Sequence, residues 1–332
     1  MPDWLGIAAW RHWRWLLPAA GFCAGVASFV LVERAEWLAQ WITGILLLGW
    51  ALLLAEAPLR RLIQRLTGLD LPPVLLRYGT QALHQEALFF CIPFFLIATD
   101  WSSVQVLFTG LLFLLAVVSI TDPLYFGVVG RHPWLLLGLH AFVIFTALLT
   151  ALPMVLQLDT AQSLLIAAAA MSLTAVPSLV WRLPFNGWRA WTAALLLAPA
   201  LGLVAWWGRA AIPPATLGLT EAYITHELDR SGRVGEPMDA VRSADDLTAK
   251  GLFVFTAVRA PRGLHEAIYH VWLHEGREVD RIRLQIDGGR AEGYRSWSHK
   301  RAFEADPRGR WEVRLETAGG QQIGRLVFRV LI

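Results

Sequence analysis

The chain has only two cysteines, no lysine and few acids over its first 210 residues, and no local spacing that announces catalysis. Cys23 and Cys91 both fall in long apolar blocks. With no cysteine after residue 91, the C-terminal third has no disulfide to staple it and must hold together by packing. Both thiols read as small buried hydrophobes. Residues 1–210 contain nine acidic residues, far too little charge to clothe a water-facing surface of that length. A pI near 9.1 comes from scattered arginines without a concentrated basic face, which excludes a nucleic-acid footprint. No GxSxG elbow and no HExxH pair occurs, so neither a serine nucleophile nor a zinc-binding helix is expected. No metal ion or cofactor is expected either.

What the chain does have is apolar length. It is 56% hydrophobic and holds 17 tryptophans, 14 of them before residue 210. Seven blocks are long enough to cross a hydrocarbon layer roughly 30 Å thick: residues 15–32, 37–55, 83–99, 104–121, 134–152, 164–181 and 191–207. The first could pass for a signal peptide, but its length and the block that follows almost at once predict an uncleaved anchor. Residues 1–210 are therefore expected to form a seven-helix transmembrane domain embedded in a lipid bilayer.

Charge orients it. Arg11, Arg14, Arg60, Arg61, Arg65, Arg77, Arg131, Arg182 and Arg189 fall on one side of this pattern, and only Arg34 and Arg209 on the other. The positive-inside bias predicts a cytoplasmic N-terminus and a C-terminal tail on the outer side. Trp15, Trp37, Trp101, Trp134, Trp181, Trp188, Trp206 and Trp207 lie at span ends, where an indole buries its ring and keeps its N–H wet.

Two segments of the membrane half stand out. Near residues 57–68, Leu59, Leu62, Ile63 and Leu66 alternate with Arg60, Arg61, Gln64 and Arg65 at helical period, predicting an amphipathic helix in the inner-leaflet interface. His84, Glu86, Asp122 and His140 fall within or beside spans at similar depth. Ionisable groups are costly there, so these four are the candidate intramembrane site. His84 and Glu86 project to nearly opposite sides of one helix, and interhelical hydrogen bonding is the competing explanation.

Pro213 and Pro214 close the last block, leaving a linker over 211–219. From residue 220 to 332 the pattern becomes period two, with strands expected near 221–227, 251–259, 266–273, 277–286, 293–300, 311–317 and 322–332. Seven short strands predict a small all-β sandwich of immunoglobulin or fibronectin type. Alternation assigns Tyr269, Val271 and Leu273 inward, turning His270, Trp272 and His274 outward. It likewise turns Arg281 and Arg283 outward against Ile282, Leu284 and Ile286, and sets Arg295, Trp297 and His299 on one side. If the strands are neighbours, His270, Trp272, Arg281, Arg283, Arg295 and Trp297 make one candidate binding face.

The run Tyr269-His270-x-Trp272, Glu275-Gly276, Trp297-Ser298-x-Lys300 and Gly309-x-Trp311 resembles a domain of unknown function found in proteobacteria on polytopic inner-membrane proteins. The stretch from Gln81 to Phe90 is similar to the uncharacterised membrane region that accompanies that tail. The resemblance implies an inner-membrane protein with a periplasmic C-terminal domain, without an activity or substrate. The expected function is a non-enzymatic envelope protein presenting a periplasmic module to a glycan, lipopolysaccharide, a lipid headgroup or an envelope protein. The alternative is a transporter or lipid-modifying enzyme built on the polar cluster, with the β domain as a lid.

Overall fold

A computed structural model describes residues 73–180, 182–227, 235–304 and 306–331. The first two predicted spans and the interfacial helix near 57–68 lie outside the described residues. The described helices are α1 (Pro73–Ala98), α2 (Gln105–Ile120), a short α3 (Asp122–Leu124) running into a π-helical turn (Tyr125–Val129), α4 (Pro133–Val155), α5 (Thr160–Val180), α6 (Trp188–Leu197) and α7 (Pro199–Trp207). Among the described residues four helical stretches are long and apolar enough to cross a membrane: Arg77–Ala98, Pro133–Val155, Thr160–Val180 and Trp188–Trp207. Gln105–Ile120 with Asp122–Val129 makes a fifth if the pair, bent by 97°, is one broken span.

These helices expose large apolar side chains. Leu196 and Trp207 are 80% and 79% exposed, which in water would leave large apolar patches uncovered. Pro93, Pro153 and Pro177 lie inside α1, α4 and α5, each removing one backbone donor.

The chain divides into two compact units. The first takes in α1 through Phe94, Gly110–Ala151 and Ala167–Gly202; the second takes in Phe95–Thr109, Leu152–Ile166 and Leu203–Ile332. In the first unit, Leu137, Ala175, Val176, Leu179, Ala194 and Ala198 form a buried cluster, the alanines allowing close helix approach.

The second unit contains the β-rich region. Its strands are β1 (Gly218–Thr225), β2 (Ala240–Val241), β3 (Leu252–Arg259), β4 (His265–His274), β5 (Arg277–Asp287), β6 (Tyr294–Lys300), β7 (Gly309–Thr317) and β8 (Gln322–Val330), with a helical turn, α8 (Ala244–Lys250), before β3. They form two sheets, ordered β1-β3-β6 and β2-β8-β7-β4-β5. All seven strands read from the sequence are present; β2 and α8, too short to show a period, were not foreseen. Gly276 and Gly320, with φ of 82° and 80°, turn β4 into β5 and β7 into β8 where an L side chain would be strained.

The inner faces of the two sheets share two apolar clusters. One holds Ile224, Leu252, Val254, Trp272, Trp311, Val313 and Phe328; the other holds Leu217, Val258, Leu264, Ile268, Ile286, Leu315 and Ile323. Each draws on both sheets, so neither sheet buries its apolar side without the other.

Helix-end segments of this unit are tied to the strands. Gln105 donates to the Gln322 carbonyl at 2.7 Å, and Arg325 donates to the Ser102 hydroxyl and carbonyl at 2.8 and 2.9 Å. Gln322 also donates to the Asp100 carboxylate. Leu217, in the segment anticipated as a linker, is buried in the second apolar cluster.

Candidate functional site

Six residues of the β region were expected to make one face, and the structure divides them among three places. His270 and Trp272 point inward, Trp272 with none of its surface exposed. This reverses the facing read from alternation. The cause is a β-bulge: β4 pairs with β5 as His274↔Arg277 and Leu273↔Glu278, then as Trp272↔Asp280 and His270↔Ile282, leaving Val279 without a partner. Counting back from the turn without that extra residue would set His270 opposite Arg281. One inserted residue moves a whole strand side to the other face.

His270 instead forms a polar layer between the sheets. Its Nε2 lies 3.0 Å from the Thr256 hydroxyl and its Nδ1 2.8 Å from the Ser298 hydroxyl, while Thr256 and Ser296 are 3.1 Å apart. Burial pushes the His270 ring down to about 3, so it is neutral at any physiological pH. At the far end of the same strand side, Glu266 is buried and accepts from the Thr160 N–H at 2.9 Å and hydroxyl at 2.8 Å, at the start of α5. Desolvation pushes the Glu266 carboxyl up to about 7, against those two hydrogen bonds and with help from the charge of Asp159.

Arg281 and Arg283 do face outward, on the five-stranded sheet. Arg281 is engaged there, 3.0 Å from both Glu278 and Glu316, with its guanidinium over the Tyr269 ring. Arg295 and Trp297 face outward on the other, three-stranded sheet. The register there sets Tyr223, Phe255 and Trp297 side by side across β1, β3 and β6. Tyr223 stacks on Phe255 with centroids 4.9 Å apart, and Trp297 is 41% exposed. Phe253 stacks on His299 at 3.8 Å one pair along in one direction, and Glu221, Ala257 and Arg295 align in the other. Tyr223 and Phe255 escaped the sequence reading because the pairing of distant strands makes this row; their period-two spacing alone could have nominated the face.

The intramembrane candidates are likewise partly united. His84 Nδ1 lies 2.8 Å from the Tyr125 hydroxyl and His84 Nε2 lies 3.3 Å from His140 Nδ1. Asp122 joins this region through Gln81, whose amide donates to the Asp122 carboxylate and to the Ser119 carbonyl, both at 3.0 Å. Gln85 donates to the same carbonyl at 2.7 Å. The cause lies in the sequence: the N–H that would bond Ser119 in an α-helix belongs to residue 123, and Pro123 has none. Glu86 is half-buried and stands outside these contacts, as the angle between His84 and Glu86 on one helix requires. Among the described residues no three His, Cys, Asp or Glu side chains gather closely enough to hold a metal ion.

Comparison with known proteins adds families without an assigned activity. No curated protein matches the sequence. Among solved structures the chain is similar to Pseudomonas fluorescens alkylpurine DNA glycosylase AlkC bound to DNA containing an abasic site analog. The identity is 11% and the TM-score 0.22, over 96% of this chain and 99% of that one; so slight a likeness carries no argument. Residues 265–330, β4 through the end of β8, match a protein of unknown function (DUF2914). Residues 4–254 match a family of unknown function (DUF5924), so the two matches meet between β3 and β4, inside the two-sheet region. Because that longer match takes in more than half of the chain, the protein belongs to the family of unknown function DUF5924.

Proposed function

We propose that this protein is a polytopic inner-membrane protein of seven crossings that presents an immunoglobulin-like β-sandwich in the periplasm as a binding module for an envelope glycan. The arginine bias supports the orientation, with nine of the eleven arginines before residue 210 on the side assigned to the cytoplasm. Apolar helices of crossing length support the membrane setting.

The observation that carries the binding reading is Trp297, 41% exposed on the outer face of the three-stranded sheet, in one row with half-buried Tyr223 and with Phe255 buried between them. Aromatic faces offer a flat apolar surface to the C–H faces of sugar rings, and rigid side chains lose little entropy when a ligand docks. Glu221 and Arg295, aligned one pair along the same face, supply a charged acceptor and donor for hydroxyl and carboxylate groups at the rim. On the outer face of the other sheet Arg281 is held by Glu278 and Glu316, and Arg310 and Arg314 by Glu312, whereas Arg295 has one longer and more exposed ion pair, 3.6 Å to Glu292.

The test is titration of the full chain in nanodiscs with soluble peptidoglycan fragments and lipopolysaccharide core oligosaccharide. Saturable binding to one of them, lost on Trp297→Ala, supports the proposal. Absence of binding to either, or binding unaffected by Trp297→Ala, contradicts it; capture of a lipid headgroup or an envelope protein by this face would reassign the ligand.

A further inference from the structure

A buried set of groups in the helical unit has no part in that binding reading. We propose that Tyr125, His84 and His140 form a proton relay within the helical unit and that the protein conducts protons along it. The three side chains come from three separate elements, the π-helical turn, α1 and α4, and are joined by contacts of 2.8 and 3.3 Å that engage both nitrogens of His84. An imidazole bonded at both nitrogens can take a proton on one and release it from the other, which no other side chain does near neutral pH.

Packing is a poor explanation for this arrangement. His84 has no exposed surface and Tyr125 is buried; apolar residues of similar size would fill the space without the cost of desolvating polar groups. The backbone is also shaped around Tyr125. The span bends by 97° between α2 and α3, and Tyr125 opens the π-helical turn that follows. Turns of that kind, and broken helices at membrane depth, are irregularities retained where ions or substrates are handled. Gln81 and Gln85 keep the bend tolerable by bonding the carbonyl of Ser119 that Pro123 leaves without its helical donor. Of the other titratable groups nearby, Asp122 accepts from Gln81, Glu86 projects from another side of α1, and Cys91 is bonded by Thr150.

Each step moves a proton and no electrons. A proton arriving on the His140 ring frees its Nδ1 hydrogen, so the N–H bond at His140 Nδ1 breaks as one forms at His84 Nε2. The hydrogen on His84 Nδ1 then passes to the Tyr125 oxygen, whose own hydrogen passes to a water molecule as the O–H bond it leaves breaks. One proton enters and one departs, and rotation of the two rings restores the starting tautomers.

The experiment uses the full chain in proteoliposomes that enclose a pH-sensitive dye, with a potential imposed by potassium and valinomycin. Protein-dependent proton entry is expected, together with its loss in His84→Gln, which keeps hydrogen-bonding capacity but cannot carry a proton, and in Tyr125→Phe. Retained melting temperature in these variants separates relay from packing. Should His84→Gln fail to fold, Tyr125→Phe alone decides. Wild-type protein with no flux above empty liposomes, or folded variants with undiminished flux, would overturn the proposal.

Discussion

Gln85 donates its side-chain amide to the Ser119 carbonyl at 2.7 Å, filling the place of the backbone N–H that Pro123 lacks. Gln81 donates to the same oxygen, so either glutamine alone keeps it bonded. Replacing Gln85 by Leu should therefore cost only about 1 kcal/mol. Replacing both should cost more than the sum of the single changes by roughly 1–3 kcal/mol, the penalty of an orphaned buried carbonyl. Unfolding in mixed micelles measures both; additive losses would mean that the two amides do not serve one acceptor.

The two tryptophans flagged for one face, Trp272 and Trp297, lie in different sheets and should behave oppositely. Trp272 lies in the shared core against Trp311 and Phe328, so Trp272→Ala should destabilise the protein by about 3–5 kcal/mol. Trp297 lies half-open on the outer face, and Trp297→Ala should change stability by no more than about 0.5 kcal/mol. Thermal unfolding of the two variants compares them directly, and a large loss at Trp297 would make it a core residue.

Glu266 and His270 impose opposing pH dependences. The Glu266 carboxyl titrates at about 7 in the fold, above its ordinary 4.5, so its contribution is complete below about 4.5 and is lost as pH rises through 7. The His270 ring titrates at about 3, below its ordinary 6.5, so its contribution is complete above about 6.5 and is lost as pH falls. Between pH 4.5 and 6.5 the two slopes cancel. Glu266→Gln should expose the histidine slope, a loss of about 3 kcal/mol from pH 6.5 to 4.5. Replacing His270 by Gln should expose the opposite slope. Melting temperature against pH for the two variants reads this, and parallel curves would refute the assignment.

The strands were legible because each alternates over a length that its flanking turns delimit. Glu275-Gly276 and Gly319-Gly320 sit at two of those turns, and β4 through β8 fall where the period placed them. The facing of β4 was not legible, because both of its sides are apolar enough to bury: Ile268 and Trp272 on one, Val271 and Leu273 on the other. The choice rests on the single unpaired residue Val279, which no local pattern announces. In the helical half, the cost of burying an ionisable group marked His84 and His140 without knowledge of their partners. Tyr125 went unmarked because a tyrosine near a span end ordinarily needs no partner but water; only the bend at Pro123, a tertiary feature, brings it to His84.

The most direct test of the account is the location of residue 297. Trp297→Cys, in a protein whose two native cysteines are replaced, would be exposed to a membrane-impermeant maleimide in cells with only the outer membrane permeabilised. Labelling in intact spheroplasts is the predicted result; labelling that appears only after the inner membrane is lysed would place the aromatic face in the cytoplasm and contradict the account.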